Sequence, residues 1–241
     1  KAPPAWKMSM RFWCRHILVP LRGAAVHVNA FNFPVWGFAE KAACSLLAGV
    51  PVICKPATSS LLVAERAVEI VVENCDPPTG ALSLISGSTG GLLDLLGPQD
   101  VLAFTGSATT ALKLRGKNNI LASSTRVNIE ADSLNAAVLG PNVPEESETW
   151  SVFLRDIVRE MTQKTGQKCT AVRRILVSHD ALDRVQEGPT GGRGEIVVGN
   201  PREGGVTMGP LATAQQLDDA VSGVAWLRED AEVVLGDGAR I

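Results

Sequence analysis

Cys169 lies in the stretch Lys164-Thr-Gly-Gln-Lys-Cys169-Thr, with lysines one and five positions before it. Nearby cations favour thiolate over thiol, and thiolate is the nucleophilic form. A cysteine is more often a small buried hydrophobe, and that is the reading of Cys44, Cys54 and Cys75. Cys169 stands apart because its neighbours are polar and include a glycine. A second chemical group is Asn32 in Asn29-Ala-Phe-Asn32-Phe-Pro34, a side-chain amide just before an expected helix start. An amide beside outward-pointing backbone N–H groups could hold an oxyanion. The plainer alternative is an N-capping asparagine. Glu130 follows an extended stretch and is the only acid between Asp100 and Asp132.

Other residues suit a nucleotide. There is no GxGxxG after the first strand, so the ordinary dinucleotide fingerprint is missing. The second strand ends in Cys54-Lys55-Pro-Ala-Thr58, with no carboxylate before Glu65. In dinucleotide folds an acid at this point bonds a ribose 2′-hydroxyl, whereas a basic residue suits a 2′-phosphate. A lysine snorkelling at a sheet edge is the competing reading of Lys55. Phe104-Thr-Gly106-Ser107 ends the fourth strand and opens a helix, where small residues let backbone amides approach a pyrophosphate. Ser86-Gly-Ser-Thr-Gly-Gly91 reads as a turn.

The elements that must position these groups alternate. Strands are predicted at 24–28, 50–54, 82–85 and 101–104. Between and after them, helices are predicted at about 34–46, 61–74, 91–96 and 107–115, and residues 120–129 read as extended. Apolar strands alternating with helices indicate a parallel sheet covered on both faces. Such sheets bind ligands at the carboxyl ends of their strands. Beyond Ile129 the texture changes. A strand is expected at 136–139, the longest helical pattern at 148–165 and a strong strand at 171–177, and residues 188–210 are rich in Gly and Pro. The expected fold class is α/β, a doubly wound parallel-sheet cofactor domain (a Rossmann-like variant) followed by a second α/β catalytic domain. The expected divisions are a bridging hairpin at 1–21, a dinucleotide-binding domain at 22–131 and a catalytic domain at 132–241.

The 241 residues carry 23 Lys and Arg against 25 Asp and Glu, a net charge of −2. That balance excludes whole-chain electrostatic binding to nucleic acid or an acidic membrane. The longest charge-free apolar run, Ala42 to Cys54, falls short of the roughly 20 residues a spanning helix needs. Five cysteines without a CxxC, and three scattered histidines, give no disulfide framework and no metal cluster, and point to a reducing, cytoplasmic compartment.

Taken together and in order, these pieces resemble the aldehyde dehydrogenase superfamily over nearly the whole chain. The matching motifs are NAFNFP, AGVPVICKPA, FTGS, NIEADS and GQKC. HILVPLRGAAVHVNAFNFPVWG and VREMTQKTGQKCTAVRRILV are most similar to a narrower branch, the aldehyde dehydrogenases of bacterial phenylacetate and benzoyl-CoA breakdown. That branch oxidises a ring-cleavage semialdehyde still carried as a CoA thioester.

The resemblance implies roles residue by residue. Cys169 would attack the aldehyde, with Asn32 and the Cys169 N–H holding the oxyanion. Hydride would pass to a nicotinamide, and Glu130 would activate water to hydrolyse the resulting thioester. Branches that hand the acyl group to coenzyme A generally lack this glutamate. Lys55 and Thr58 would contact the adenine ribose, with Phe104, Gly106 and Ser107 near the diphosphate. NAD-preferring relatives usually carry glutamate where Thr58 stands, so NADP is expected, with NAD as the alternative. The implied partners are a small aldehyde, which could be a CoA thioester, and further copies of the chain in a dimer or tetramer, with no nucleic acid, membrane or metal. Basic residues Arg155, Arg159, Lys164, Lys168, Arg173 and Arg174 would either attract a CoA diphosphate or form a solvated face. Ala111 stands where the family often has glycine, and Ala131-Asp132 replace its commoner Leu-Gly. Family members run about twice as long. The expectation is therefore the central part of the fold, and the alternative is a truncated, non-catalytic homologue or nucleotide-binding fragment.

Overall fold

The computed structural model describes residues 16–191 and 196–234, so most of the expected hairpin at 1–21 lies outside the described residues. Residues 16–22 have no regular secondary structure. Five short strands form one sheet: β1 (Ala25–Val28), β2 (Val52–Lys55), β3 (Leu82–Leu84), β4 (Val101–Gly106) and β5 (Arg126–Ala131). The order is β3-β2-β1-β4-β5 and every neighbouring pair is parallel. Chain direction reverses its course between β1 and β4, which makes that junction the topological switch point.

Strand side chains alternate between faces. Val26 and Leu102 therefore join Leu93, Leu96 and Ile120 on one face. Val52 and Cys54 join Phe38 and Ala42 on the other. The second face is covered by α1 (Pro34–Leu47) and α2 (Leu61–Cys75). Pro34 fits the first helical position, where its missing N–H costs nothing, and Phe38, Ala42 and Leu46 recur at four-residue spacing against the sheet. The first face is covered in part by a 3₁₀ turn (Leu92–Leu95), α3 (Ala108–Arg115) and α4 (Asn118–Ala122). The sheet is thus doubly wound.

Helix α4 corrects the expectation of an extended run from 120. Ile120 is buried in the core, and the Asn119 side chain donates to the carbonyls of Leu93 and Leu96 at 2.8 and 3.2 Å. Those tertiary contacts override the β-prone local sequence, and the strand starts only at Arg126. Cys44 and Cys75 are also corrected, since both are exposed while Cys54 is buried. Cys44 is two positions from Ala42, about 200° around the helix and hence away from the sheet. Cys75 closes α2.

After residue 131 come β6 (Asn135–Val138) and β7 (Val172–Leu176), a parallel pair, with α5 (Glu148–Thr162) and α6 (Leu182–Gly191) packed on them. Their core is Leu139, Trp150, Ala181 and Val185. Gly188 lets α6 approach α5 closely, since a β-carbon there would stand 2.7 Å from Leu154. The sequence reading missed α7 (Ala214–Leu227). Thr213 accepts from the Gln216 N–H at 3.2 Å, and Thr-x-x-Gln before an apolar run is a capping signature that the Gly- and Pro-rich approach obscured.

His27 lies fully buried under α1, its Nε2 3.0 Å from the Ser45 hydroxyl. Burial, and secondarily the Lys41 ammonium, push its pKa down to about 4. The unfolded chain takes up this proton near the ordinary imidazole value, so folding is favoured fully above it and progressively less as pH falls toward 4. From pH 7 to pH 5 the native chain should lose about 2 kcal/mol that His27→Gln does not lose. Urea midpoints of both proteins at the two pH values test this, and parallel declines would refute it.

Candidate active site

The carboxyl ends of the sheet strands gather the residues singled out by sequence. Asn32 follows β1, Lys55 ends β2, Gly106 ends β4 and Glu130 is the penultimate residue of β5. Asn32 does not cap α1. The N-cap is Phe33, and it makes no side-chain cap bond. The Asn32 amide has no hydrogen bond among the described residues and is half-buried. Glu130 is exposed.

Cys169 is held at this edge through its backbone. Its carbonyl accepts from Ser133 Oγ and from Asn135 Nδ2, and Asn135 also donates to the Ala171 carbonyl at 3.1 Å. Ser133 and Asn135 lie three and five positions beyond Glu130, so the segment leaving β5 carries the thiol's support. The sequence reading passed over both residues. The one available signal was their polarity in the short stretch between Glu130 and the strand expected at 136–139.

The turn that presents Cys169 is strained. Helix α5 gives way to a short 3₁₀ segment (Gln163–Gly166) in which Lys164, Thr165 and Gly166 have φ of 54°, 57° and 68°. The left-handed region costs a non-glycine residue about 1–2 kcal/mol. Bonds from elsewhere hold the turn. Thr165 Oγ1 donates to Gly209 O at 2.8 Å, Ala212 N donates to Gln167 Oε1 at 2.9 Å, and Arg173 Nη2 donates to Gly166 O at 2.7 Å.

The two flanking lysines differ. Lys168 is buried, and its ammonium meets Glu160 Oε2 at 2.6 Å and Gln163 Oε1 at 2.7 Å, so its charge is spent within the fold. Lys164 reaches across to the Asn32 carbonyl at 2.6 Å and sits 3.5 Å from the Phe33 ring centroid. Partial burial, then Lys168, hold its pKa below the ordinary lysine value, while Cys169 pulls it upward. Arg173 and Arg174 are committed to backbone carbonyls. Of the basic residues named above, Arg155 and Arg159 stay exposed and unpartnered among the described residues.

The residues expected to meet a nucleotide lie at or just beyond the ends of β2 and β4. Thr58 is exposed and opens a 3₁₀ turn just beyond Lys55. Ser107 caps α3, accepting from Thr110 N at 3.3 Å. Phe104 is buried, and its ring lies under Gly106, where a β-carbon would fall 2.5 Å from it. What that turn offers a ligand is bare backbone, with the ring as its floor. Asp132 takes φ of 52°, the conformation a glycine adopts freely, and its N–H bonds Gly106 O at 3.2 Å. Among the described residues no three His, Cys, Asp or Glu side chains are placed to hold a metal.

Comparison with known proteins places the chain in a family. The model of the aldehyde dehydrogenase family matches residues 5–240. The chain is 48% identical over 225 residues to 3,4-dehydroadipyl-CoA semialdehyde dehydrogenase of Aromatoleum evansii, covering 93% of this chain and 44% of that one. The chain therefore spans less than half the length of the curated relatives it matches. Among solved structures, an aldehyde dehydrogenase C mutant from Pseudomonas syringae complexed with NAD⁺ and octanal superposes with a TM-score of 0.80 at 24% identity. That match covers 92% of this chain and 45% of the other. Betaine aldehyde dehydrogenase from Staphylococcus aureus in complex with NAD⁺ gives a TM-score of 0.78 at 21% identity, covering 90% and 42%.

Removing either partner of the Lys168–Glu160 pair strands the other charge in the turn that carries the thiol. A double-mutant cycle with Lys168→Met and Glu160→Gln should give a coupling of about 2 kcal/mol by chemical denaturation. A coupling below about 0.5 kcal/mol would mean that the pair is effectively solvated.

Proposed function

The chain belongs to the aldehyde dehydrogenase family, and from that premise we propose that it carries the reacting groups for oxidation of a CoA-linked semialdehyde to the carboxylic acid, with NADP as hydride acceptor. The carrying observation is the meeting of three segments at one sheet edge: the Cys169 carbonyl on Ser133 and Asn135, and Lys164 of the same turn on the Asn32 carbonyl. In this reading residues 22–131 bind the dinucleotide and residues 132–241 present the thiol.

The Cys169 thiolate adds to the aldehyde carbon, forming the C–S bond and an alkoxide. The Asn32 amide and the Cys169 N–H donate to that oxygen as its charge develops, where fixed donors lower the barrier most. A bound nicotinamide supplies the acceptor for the hydride lost from that carbon, which becomes a thioester. Glu130 then takes a proton from water as the oxygen adds to the thioester carbon, and expulsion of the Cys169 sulfur releases the acid. The exposure of Glu130 supports this step, since solvent reaches its carboxylate.

The choice of NADP is supported by Lys55 and by the neutral, exposed Thr58, which put a cation and no anion where a 2′-phosphate would lie. NAD use is the alternative, and both solved relatives named above are complexes with NAD⁺. The CoA-linked substrate is supported by the Aromatoleum relative and by the free guanidinium groups of Arg155 and Arg159 on α5. Exposed apolar residues Ile17, Leu18 and Val19 support a homo-oligomer.

Single-turnover reduction of NADP⁺ and NAD⁺ tests the reading. A burst of reduced cofactor is expected with NADP⁺ and is abolished by Cys169→Ala, whereas a burst that survives this change refutes the mechanism. Thr58→Glu should move the preference toward NAD⁺ by about tenfold or more through repulsion of the 2′-phosphate. Charge reversal at Arg155 and Arg159 should raise KM for a CoA-linked substrate and not for a plain aldehyde. Equal effects on both would remove the CoA assignment.

A further inference from the structure

We propose that Lys164 is a positioning residue, clamping the loop that bears Asn32 to the turn that bears Cys169. The proposal rests on the roles given to those two residues in the preceding section. One ammonium engages two consecutive residues of the loop, donating to the Asn32 carbonyl at 2.6 Å and lying 3.5 Å from the Phe33 ring centroid. The partners are 132 positions apart in sequence, so the contact joins segments that local structure does not.

The loop needs an anchor. It leaves β1 after the Asn29 N–H bonds the Lys55 carbonyl at 3.0 Å, and it enters α1 through an N-cap without a side-chain bond. Between those points the side chain of Asn32 has no partner among the described residues. An amide meant to meet a developing oxyanion needs an N–H left free for it, and with no side-chain partner here its position is fixed through its backbone. Lys164 bonds that backbone at the same residue.

The backbone of Lys164 is adapted to this reach. Lys164 and Thr165 hold left-handed φ of 54° and 57°, where a simple continuation of α5 would have kept both right-handed. Such outliers persist when surrounding contacts over-determine them, and they concentrate at functional sites. Here Thr165 is tied to Gly209 and Gln167 to Ala212. Lys168 does not compete for the carbonyl, because Glu160 and Gln163 occupy its ammonium.

The requirement is for a donor on a long stem. Methionine matches the stem and cannot donate, whereas arginine can donate to the carbonyl and lie over the ring. In hydrogen exchange on the full chain, Lys164→Met should speed exchange of the amides that bracket the loop, Asn29 N–H on the Lys55 carbonyl and Gly37 N–H on the Phe33 carbonyl, about fivefold or more and leave β1 unchanged. Lys164→Arg should stay within about twofold of the native rate. Unchanged exchange at Asn29 and Gly37 in Lys164→Met overturns the clamp.

The consequence for catalysis is read separately. Lys164→Met should lower kcat about tenfold or more with little change in KM for the cofactor, as expected for a group displaced from the transition state. In an Asn32→Ala background the same change should cost less than about twofold, because the residue it positions is gone. A full additional loss there overturns action through Asn32. Absence of turnover in the native chain bears on the catalytic reading alone and leaves the exchange result decisive.

Discussion

Parallel pairing of β1 with both β2 and β4 is the constraint from which the site follows. A parallel sheet sends every strand end to one edge, and each following loop has to start there. The order β3-β2-β1-β4-β5 then places the loops after β1 and β4 on opposite sides of the sheet, leaving a crevice between them. Register tightens this geometry. Val28 is opposite Lys55 on one side and Phe104 on the other, and Thr105 is opposite Glu130. A one-residue slip in any of these pairs would turn Val26 or Leu102 to the opposite face, away from Leu93, Leu96 and Ile120, so the packing of those side chains also fixes which residues stand at the edge.

The thiol is not on that sheet, and getting it there requires a different device. Cys169 comes from the turn between α5 and β7, and β7 pairs only with β6. What connects the two units is the short run 132–135, which leaves β5 and immediately bonds the Cys169 carbonyl. Asp132 takes the left-handed bend that starts this run. A residue with a β-carbon tolerates that bend at a modest cost, and aspartate more readily than most. Its cost is set against hydrogen bonds from Ser133 and Asn135 that exist only if the bend is made.

Much of the fold could be read from apolar periodicity. The first four strands of the sheet and the two helices beneath it follow from runs of Val, Ile, Leu and Ala, and their predicted bounds lie within two residues of the observed ones, whereas the fifth, expected from 120, starts at Arg126. Residues 118–122 could not be read that way, because what makes them helical is Asn119 bonding carbonyls more than twenty positions away. Helix α7 was readable from Thr213 and Gln216, and was obscured by the glycine-rich approach. Cys169, Glu130 and Asn32 of the candidate site could be singled out as residue types at strand and helix ends. Which lysine faces the thiol was not. Lys164 and Lys168 look alike in sequence, and only the half-buried carboxylate of Glu160, eight positions before Lys168, separates them.

Unsatisfied polar groups show where the sheet gives up stability. His27 Nδ1, Asn29 Oδ1 and Thr105 Oγ1 are buried without a hydrogen-bond partner. Each costs about 1–3 kcal/mol against a paired group. All three belong to β1, to β4 or to the residue that follows β1, and β1 and β4 are the two strands that flank the switch point. A sheet built for stability alone would place Val or Ile at these positions. Asn29 illustrates the compromise. Its amide donates to the Cys54 sulfur at 3.4 Å, a weak acceptor, while its N–H extends the sheet by one bond beyond β1. Cys54, whose pKa burial raises to about 11, remains a neutral thiol and serves as packing on one side and as a poor hydrogen-bond partner on the other. The polar row under the loop is tolerable because Ala25, Val26, Leu102 and Ala103 of the same strands are buried, and it lies where β1 stops being core and becomes the approach to Asn32.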